Sequence, residues 1–190
     1  MIPTMTTRAL RINPVRQAVA RRWGAGYKVK MSMHKTVTIA LSLADEAATA
    51  ELAGRLARLA RPGDVIALEG DLGAGKTSLA RAFIRSLAGA EEDVPSPTFT
   101  LAQVYDYDSG TIWHFDLYRL EKPEDALELG IEDAFADGVS LIEWPDRLGP
   151  WLPAERLVVR LSAGETETAR RVELTGGRDW GARLLEMFGD

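Results

Sequence analysis

The stretch that decides the fold is DVIALEGDLGAGKTSLA, residues 64–80. The apolar run at 65–68 predicts a strand, the residues GDLGAGKT at 70–77 follow it, and a helix-forming segment comes next. These residues match G-x-x-x-x-G-K-S/T, the P-loop pattern, in the strand-then-helix context that the pattern requires. The sequence therefore favours a nucleotide-binding loop over a glycine-rich turn that only opens an ordinary helix.

Each residue type in this loop has a chemical reason to be there. Gly73 and Gly75 permit backbone angles closed to other residues, so backbone N–H groups can converge on phosphate oxygens at a helix N-terminus. The ammonium of Lys76 would reach the β- and γ-phosphates, and the hydroxyl of Thr77 would ligate Mg²⁺. The predicted nucleotide-binding residues are Gly70, Asp71, Leu72, Gly73, Ala74, Gly75, Lys76, Thr77 and Ser78.

Length and composition are those of a single globular domain. The chain has 190 residues, of which 46% are hydrophobic and 27% charged, which is typical of soluble proteins. No apolar run approaches the ~20 residues of a membrane-spanning helix. The chain contains no cysteine, which excludes disulfides and cysteine-based zinc sites. We therefore expect a cytoplasmic protein.

The N-terminus differs in charge from the remainder of the chain. Residues 1–30 carry seven basic side chains and no acidic one, although the net charge of the whole chain is −5. Such a segment could be an RNA-binding arm, a targeting peptide, or sequence before a true start at Met31 or Met33, and we favour the last. We predict a disordered N-terminal extension at 1–34 and a P-loop ATPase domain at 35–190.

Strand and helix patterns alternate along the domain and predict an α/β fold of the P-loop NTPase type, with three layers. A short polar turn at 108–110 predicts a hairpin, so the sheet should mix parallel and antiparallel strands. The predicted strands are 36–41, 65–68, 98–107, 111–117, 139–142, 157–161 and 171–174. The predicted helices are 42–60, the P-loop helix to residue 88, 123–135 with a break at Gly130, and 179–188.

Two acidic residues at strand ends are candidates for a hydrolytic site. Glu143 follows the apolar run VSLI, as expected of an acid that contacts Mg²⁺ or orders its water. Asp116 lies in HFDLYRL, where strand alternation puts His114, Asp116 and Tyr118 on one face. Each could instead be a solvated strand end. The predicted catalytic residues are Lys76, Asp116 and Glu143, and the predicted metal ligands are Thr77 and Glu143.

Hydroxyl and aromatic side chains near these acids each allow more than one interpretation. Ser96, Thr98 and Thr100 could form a switch segment that senses Mg²⁺ and the γ-phosphate, or the threonines could simply favour a strand. Trp144 and Trp151 could stack on a ligand, meet a partner, or pack against the last helix.

Taken together, these motifs resemble the TsaE family, also called YjeE, of small P-loop ATPases. The resemblance covers roughly residues 36–174 and rests on the order and spacing of five motifs. They are GDLGAGKT, SPTFTL at 96–101, HFDLYRL at 114–120, EDALELGIEDAF at 124–135 and LIEWPDRL at 141–148.

The resemblance implies a fold with a mixed sheet that binds ATP with Mg²⁺ and hydrolyses it slowly when alone. It implies the partners TsaB and TsaD, and through them tRNA, on which the complex makes threonylcarbamoyladenosine beside the anticodon. It also implies that Thr77 and Glu143 ligate Mg²⁺, that Lys76 holds the phosphates, and that Asp116 is the second acid. Trp144 would be a functional neighbour, and adenine would lie near residues 45–49.

Three other functions can be weighed from the residues. One is an ATP-dependent assembly module whose hydrolysis only times the release of a partner, and it overlaps with the favoured function. A regulatory GTPase would carry N-K-x-D, which is absent from the sequence. A P-loop kinase of a small metabolite usually has an arginine-rich lid, and Arg170 and Arg171 are the only adjacent arginines after the N-terminal segment. The kinase is the alternative that we retain.

Overall fold

The structure, a computed structural model, describes residues 28–31 and 36–189. Within them, eight strands form one sheet in the order β1-β2-β8-β7-β3-β6-β5-β4. The strands are β1 Lys28–Met31, β2 Val37–Leu43, β3 Val65–Glu69, β4 Ala102–Tyr107, β5 Gly110–Asp116, β6 Val139–Glu143, β7 Leu157–Ala163 and β8 Arg170–Gly176. The helices are α1 Glu46–Leu59, α2 Lys76–Ala88, α3 Ile131–Asp137 and α4 Arg178–Gly189, with 3₁₀ segments Pro123–Leu129 and Pro145–Trp151.

The sheet is mixed, as predicted. Strand β3 pairs in parallel with β6 and β7, and β5 pairs in parallel with β6. The remaining pairs are antiparallel, including the predicted β4–β5 hairpin with Tyr107 opposite Gly110. The predicted α/β fold is therefore confirmed.

Hydrophobic clusters cover both faces of the central strands. Side chains alternate across a strand, and Ile112 and Leu141 lie in the larger cluster with residues of α1, α2 and α4. Phe115 and Ile142 point the other way, into a smaller cluster with residues of α3 and the two 3₁₀ segments. Three layers result, and the carboxyl ends of β3, β6 and β5 lie side by side at one edge.

Several element boundaries differ from the predictions for local reasons. Helix α1 begins at Glu46 and not at 42, because β2 continues to Leu43 and the Asp45 carboxylate caps the helix by accepting a hydrogen bond from the Ala48 N–H at 2.8 Å. Strand β4 begins at Ala102 and not at 98. Leu101 has a positive φ of 63°, which interrupts the extended backbone.

The sheet includes residues from the predicted N-terminal extension. Strand β1 pairs antiparallel with β2, with Lys28 opposite Ala40 and Met31 opposite Val37. The sheet therefore begins before the boundary predicted at residue 34. Residues 1–27 and 32–35 lie outside the described residues, so the interpretation of the basic segment stays a prediction. Among the described helices, none has the length and apolar character needed to cross a membrane.

A buried ion pair fastens α4 to the start of β3. The Arg183 guanidinium donates from Nη1 to Asp64 Oδ2 at 2.6 Å and from Nη2 to Asp64 Oδ1 at 2.7 Å. The Nη1 group also donates to the Leu59 carbonyl at the end of α1 at 2.7 Å. The side chains of Arg183 and Asp64 are only 9% and 14% exposed, so water does not replace either partner. This pair fixes the residue that immediately precedes the P-loop strand.

We predict that Arg183→Ala lowers the free energy of unfolding by about 3–5 kcal/mol, because it removes both guanidinium donors from the Asp64 carboxylate and leaves it only the Arg61 N–H among the described residues. Urea unfolding followed by circular dichroism measures the change. Arg160→Ala is the matched control, since Arg160 also pairs with a carboxylate, Glu69, at 2.7 Å but is 59% exposed. That control should cost about 0–1 kcal/mol, and equal losses in the two variants would contradict the prediction.

Candidate nucleotide-binding and hydrolytic site

The P-loop runs from the end of β3 to the start of α2 and leaves backbone N–H groups open to a ligand. Gly75 is the N-cap of α2, with a positive φ of 102°, and no side chain of residues 28–31 or 36–189 caps the helix. The unpaired N–H groups of the first turn and the helix dipole both favour an anion at this position. The loop therefore has the geometry of a phosphate cradle.

Gly70 lets this loop pack closely against the neighbouring strand. Its φ is 137°, a conformation that side chains rarely adopt, and a Cβ at this position would collide with the Leu161 carbonyl oxygen of β7. Only glycine satisfies both conditions. The beginning of the P-loop is therefore shaped by β7 as well as by its own sequence.

Lys76 is buried beneath the loop and already carries several contacts. Its ammonium donates to the carbonyl oxygens of Gly70 at 2.7 Å and Asp71 at 2.9 Å. It also lies 4.0 Å from the centre of the Trp144 ring, a cation–π contact. Burial lowers the pKa of Lys76 below its ordinary value, while the negative charges of Glu143 and Asp116 act in the opposite direction. A phosphate would add negative charge where the ammonium has lost hydration.

Parallel pairing of β5 and β6 brings the two predicted acids together. Asp116 stands opposite Glu143 in the register, and the two residues are 4% and 2% exposed. Glu143 Oε2 accepts a hydrogen bond from the Thr77 hydroxyl at 2.9 Å, and Glu143 Oε1 lies 3.0 Å from His114 Nε2. The P-loop and the acid on β6 are thus joined by one direct hydrogen bond.

The donor set at this junction fits Mg²⁺. Thr77 and Glu143 offer a hydroxyl and a carboxylate oxygen in mutual contact, the hard oxygen ligands that this ion prefers. No group of three or more His, Cys, Asp or Glu side chains arranged to hold a metal occurs in the described part of the chain. Mg²⁺ does not need such a cage, because it usually takes one or two protein ligands plus phosphates and waters.

The segment after α2 is held by the second acid. Thr98 donates its hydroxyl to Asp116 Oδ2 at 2.6 Å, and the Ser96 and Thr98 hydroxyls are 2.8 Å apart. The backbone N–H of Tyr118 donates to Asp116 Oδ1 at 3.2 Å. Of the two interpretations of these hydroxyls, the strand is wrong for Thr98 and Thr100, because both precede β4. The contact of Thr98 with Asp116 is the arrangement that a switch segment would need.

A cleft of about 740 Å³ adjoins the P-loop on the side of α1. It is lined by the first turns of α1, including Glu46, Ala47 and Thr49, and by Gly75 and Ser78 of the loop and α2. Adenine was expected near residues 45–49, and the cleft lies at that place. Its position next to the phosphate cradle suits the base and ribose of a nucleotide.

Arg170 is a site residue whose role the sequence did not reveal. Its Nε donates to the Ala74 carbonyl of the P-loop at 3.0 Å, and its side chain also lines the cleft. Ninety-six residues separate the two partners, and no motif surrounds Arg170. The antiparallel pairing of β8 brings Arg170 to the loop, and the register of this pairing could not be predicted from the sequence.

The predicted site residues divide into two groups in the structure. Lys76, Thr77, Asp116 and Glu143 come together at the carboxyl ends of β3, β5 and β6. Leu72 is 82% exposed at the tip of the loop, and its side chain stays away from the acids. The backbone of the loop, and not the side chains of Asp71 and Leu72, is therefore the candidate ligand at 71–72. Trp144 packs on Lys76 and Tyr118 and against the smaller hydrophobic cluster, whereas α4 contributes to the larger one.

The fold and this site define a P-loop protein with a mixed α/β sheet. A family model described as "Threonylcarbamoyl adenosine biosynthesis protein TsaE" matches residues 43–172. The chain belongs to the TsaE family, whose named members serve tRNA threonylcarbamoyladenosine biosynthesis.

Relatives and a solved structure agree with this assignment. The TsaE protein of Bacillus subtilis is 39% identical over 132 residues, which cover 68% of this chain and 82% of that protein. The TsaE protein of Rickettsia felis is 45% identical over 106 residues, covering 56% of this chain and 62% of that protein. The crystal structure of Bacillus subtilis YdiB matches with a TM-score of 0.67 at 28% identity, covering 86% of this chain and 99% of that one.

We predict that Gly70→Ala destabilises the protein more than Gly89→Ala does. Both glycines have a positive φ, 137° and 125°, but only at Gly70 would a Cβ meet backbone atoms, whereas nothing lies within 4 Å at Gly89. Backbone strain should cost about 1–3 kcal/mol at each position, and the collision a further 1–3 kcal/mol or so at Gly70. Thermal and urea unfolding measure the difference, and similar losses would show that the contact with β7 does not constrain the loop.

Proposed function

We propose that this chain is a Mg²⁺-dependent ATPase that supports threonylcarbamoyladenosine formation on tRNA. The observation that carries the proposal is the 2.9 Å hydrogen bond between the Thr77 hydroxyl and the Glu143 carboxylate. It joins the phosphate cradle to an acid at the end of the adjacent parallel strand, and Asp116 lies opposite that acid in the register. A loop that only bound nucleotide would not require two buried acids beside it.

Different residues of the chain would bind the phosphates, hold Mg²⁺ and activate water for hydrolysis. The N–H groups at the start of α2 and the ammonium of Lys76 bind the phosphates. Thr77 and Glu143 would hold Mg²⁺, which, when bound, neutralises charge that develops on the phosphates during transfer to water. Glu143 and Asp116 present carboxylate oxygens that can orient the attacking water and accept its proton. The ring of Trp144 covers Lys76 and limits the access of bulk water.

The cleft and the sequence together favour ATP over GTP. No N-K-x-D motif for guanine is present in the chain. The cleft walls near α1 are mostly small side chains, among them Ala47, Ala50 and Ala82, which leave room for a flat base. Adenine binds well to such a surface through apolar contact.

The arrangement of the paired arginines argues against the kinase alternative. Arg170 donates to the carbonyls of Ala74, Glu167 and Ala169, so its guanidinium already supports backbone. Arg171 lies 3.8 Å from the exposed side chain of Glu165. Both arginines therefore contact groups of the chain itself, whereas a kinase lid would present arginines to the phosphates. We therefore favour hydrolysis over transfer to a metabolite.

The pathway and the partners extend the proposal. Relatives of this chain carry the name tRNA threonylcarbamoyladenosine biosynthesis protein TsaE. We propose that this chain acts in the cytoplasm with TsaB and TsaD, that TsaD transfers the threonylcarbamoyl group, and that ATP hydrolysis here supports turnover of the complex. Contact with tRNA would then be indirect.

Substitutions in the P-loop should weaken nucleotide binding without unfolding the chain. We expect Lys76→Ala to weaken Mg²⁺–ATP binding about 10–100-fold, since a charged hydrogen-bond donor to phosphate is lost. Thr77→Ala should lose the dependence on Mg²⁺. Calorimetric titration with ATP measures both, and Lys122→Ala, an exposed lysine outside the loop, is the control. Unchanged binding in Lys76→Ala would refute the nucleotide site.

Glu143→Gln should separate binding from hydrolysis. The amide keeps the size of the side chain but cannot serve as a base, so we expect ATP affinity to persist while the hydrolysis rate falls about 10²–10⁴-fold. Phosphate release and equilibrium binding are measured on the same preparation. Equal loss of both quantities would remove Glu143 from the chemical step and leave it a binding residue.

Reconstitution tests the pathway apart from the ATPase. TsaB, TsaD, unmodified tRNA and threonylcarbamoyl-adenylate are mixed with this protein and ATP, and modified nucleosides are counted per TsaD. We expect several turnovers with the wild-type chain and about one with Glu143→Gln. A wild-type chain that hydrolyses ATP but leaves the number of turnovers unchanged would overturn the pathway assignment and keep the ATPase.

A further inference from the structure

His114 is fully buried, 0% exposed, on strand β5. Strand alternation places it on the same face as Ile112, and it stands opposite Leu141 of β6, both members of the larger hydrophobic cluster. Its Nε2 lies 3.0 Å from Glu143 Oε1, a hydrogen bond. Within the described residues, Nδ1 is buried and has no partner. Burying a polar ring in an apolar layer costs free energy unless the ring is hydrogen-bonded. His114 makes its hydrogen bond with Glu143, the acid on β6.

The geometry determines which ring nitrogen carries hydrogen. A carboxylate oxygen has only lone pairs to offer, so the nitrogen at 3.0 Å must be an N–H donor. The other nitrogen lies buried without an acceptor. A lone pair at Nδ1 costs less there than an unpaired N–H would. A hydrogen on Nε2 of His114, directed at Glu143, follows.

The two oxygens of Glu143 therefore accept hydrogen bonds from two different side chains. His114 binds Oε1 and the Thr77 hydroxyl binds Oε2, and the carboxylate is 2% exposed. Without the imidazole, Oε1 would lose the donor that the described part of the chain gives it, and the carboxylate could rotate away from the P-loop. Side chains that orient a ligand in this way commonly alter metal affinity or activity when they are removed.

We propose that His114 is a positioning residue: its Nε2–H holds Glu143 so that Oε2 stays directed at the Thr77 hydroxyl. The kinetic part of this inference rests on the proposed ATPase function. The structural part concerns the protein alone and is tested without nucleotide.

The first test is the tautomer in the ligand-free protein. The chain has two histidines, His34 and His114, so His34→Gln leaves one imidazole to observe. Long-range proton–nitrogen NMR spectra should show protonated Nε2 and unprotonated Nδ1, and Glu143→Gln should shift the Nε2–H resonance. A ring protonated at Nδ1 alone, or a resonance that does not respond to Glu143→Gln, would overturn the proposal.

The second test compares two amides that differ by one methylene group. The amide of His114→Gln can place an N–H near the position of Nε2, whereas that of His114→Asn reaches only the position of Nδ1. We expect His114→Gln to keep ATP hydrolysis within roughly threefold of wild type and His114→Asn to lose about 10–100-fold. In His114→Asn the Mg²⁺ concentration for half-maximal rate should rise. A role in packing alone predicts similar losses in both variants, and that outcome would refute positioning.

Urea unfolding and measurements in the Glu143→Gln variant distinguish the ways in which the proposal could fail. Urea unfolding of both amide variants shows whether they fold. If His114→Asn does not fold, His114→Gln and the NMR measurement still decide the question, because loss of activity in folded His114→Gln would contradict the proposal. In the Glu143→Gln background, His114→Asn should add no further loss, and an added loss would count against it. If the wild-type chain neither binds nor hydrolyses ATP, the proposed function fails, while the tautomer result stands by itself.

Discussion

The structure depends on the parallel pairing of β3, β6 and β5, because that pairing makes one site from three distant segments. Parallel strands end at the same edge of a sheet, so the P-loop after β3, Glu143 at the end of β6 and Asp116 at the end of β5 must meet. The Thr77–Glu143 hydrogen bond closes this arrangement across 66 residues of sequence. Neither the loop nor the acids would form the site alone.

Charge balance explains how two carboxylates can lie almost completely buried beside each other. An isolated buried charge is very costly, so each must have partners. Glu143 has the Thr77 hydroxyl and His114, and Asp116 has the Thr98 hydroxyl and the Tyr118 N–H. The ammonium of Lys76 is electrostatically coupled to both acids. A cation with its own ligands would complete this balance, which is a physical reason to expect Mg²⁺ at this position.

The sequence predicts features that depend on neighbouring residues, and it does not predict contacts that depend on strand order and register. The strand and helix that flank residues 70–77, the β4–β5 hairpin and the break at Gly130, where φ is 76°, depend on neighbouring residues and were predicted correctly. Strand alternation also placed His114 and Asp116 on one face. The start of β4 was missed because nothing in the sequence around Leu101 signals a positive φ. The contacts of Arg170 and Arg183 were missed because they depend on strand order and register, which no short motif encodes.

Arg170 and Arg183 connect the antiparallel half of the molecule to the candidate site. Strand β3 is held at its beginning by Arg183 of α4, through Asp64, and the loop at its end is held by Arg170 of β8, through the Ala74 carbonyl. Both donors come from the C-terminal part of the chain, beyond all the motifs. A phosphate cradle works only if its N–H groups keep their directions when no ligand is bound. The C-terminal strands and α4 therefore help to hold the loop geometry that the proposed phosphate binding requires, although they carry none of its chemistry.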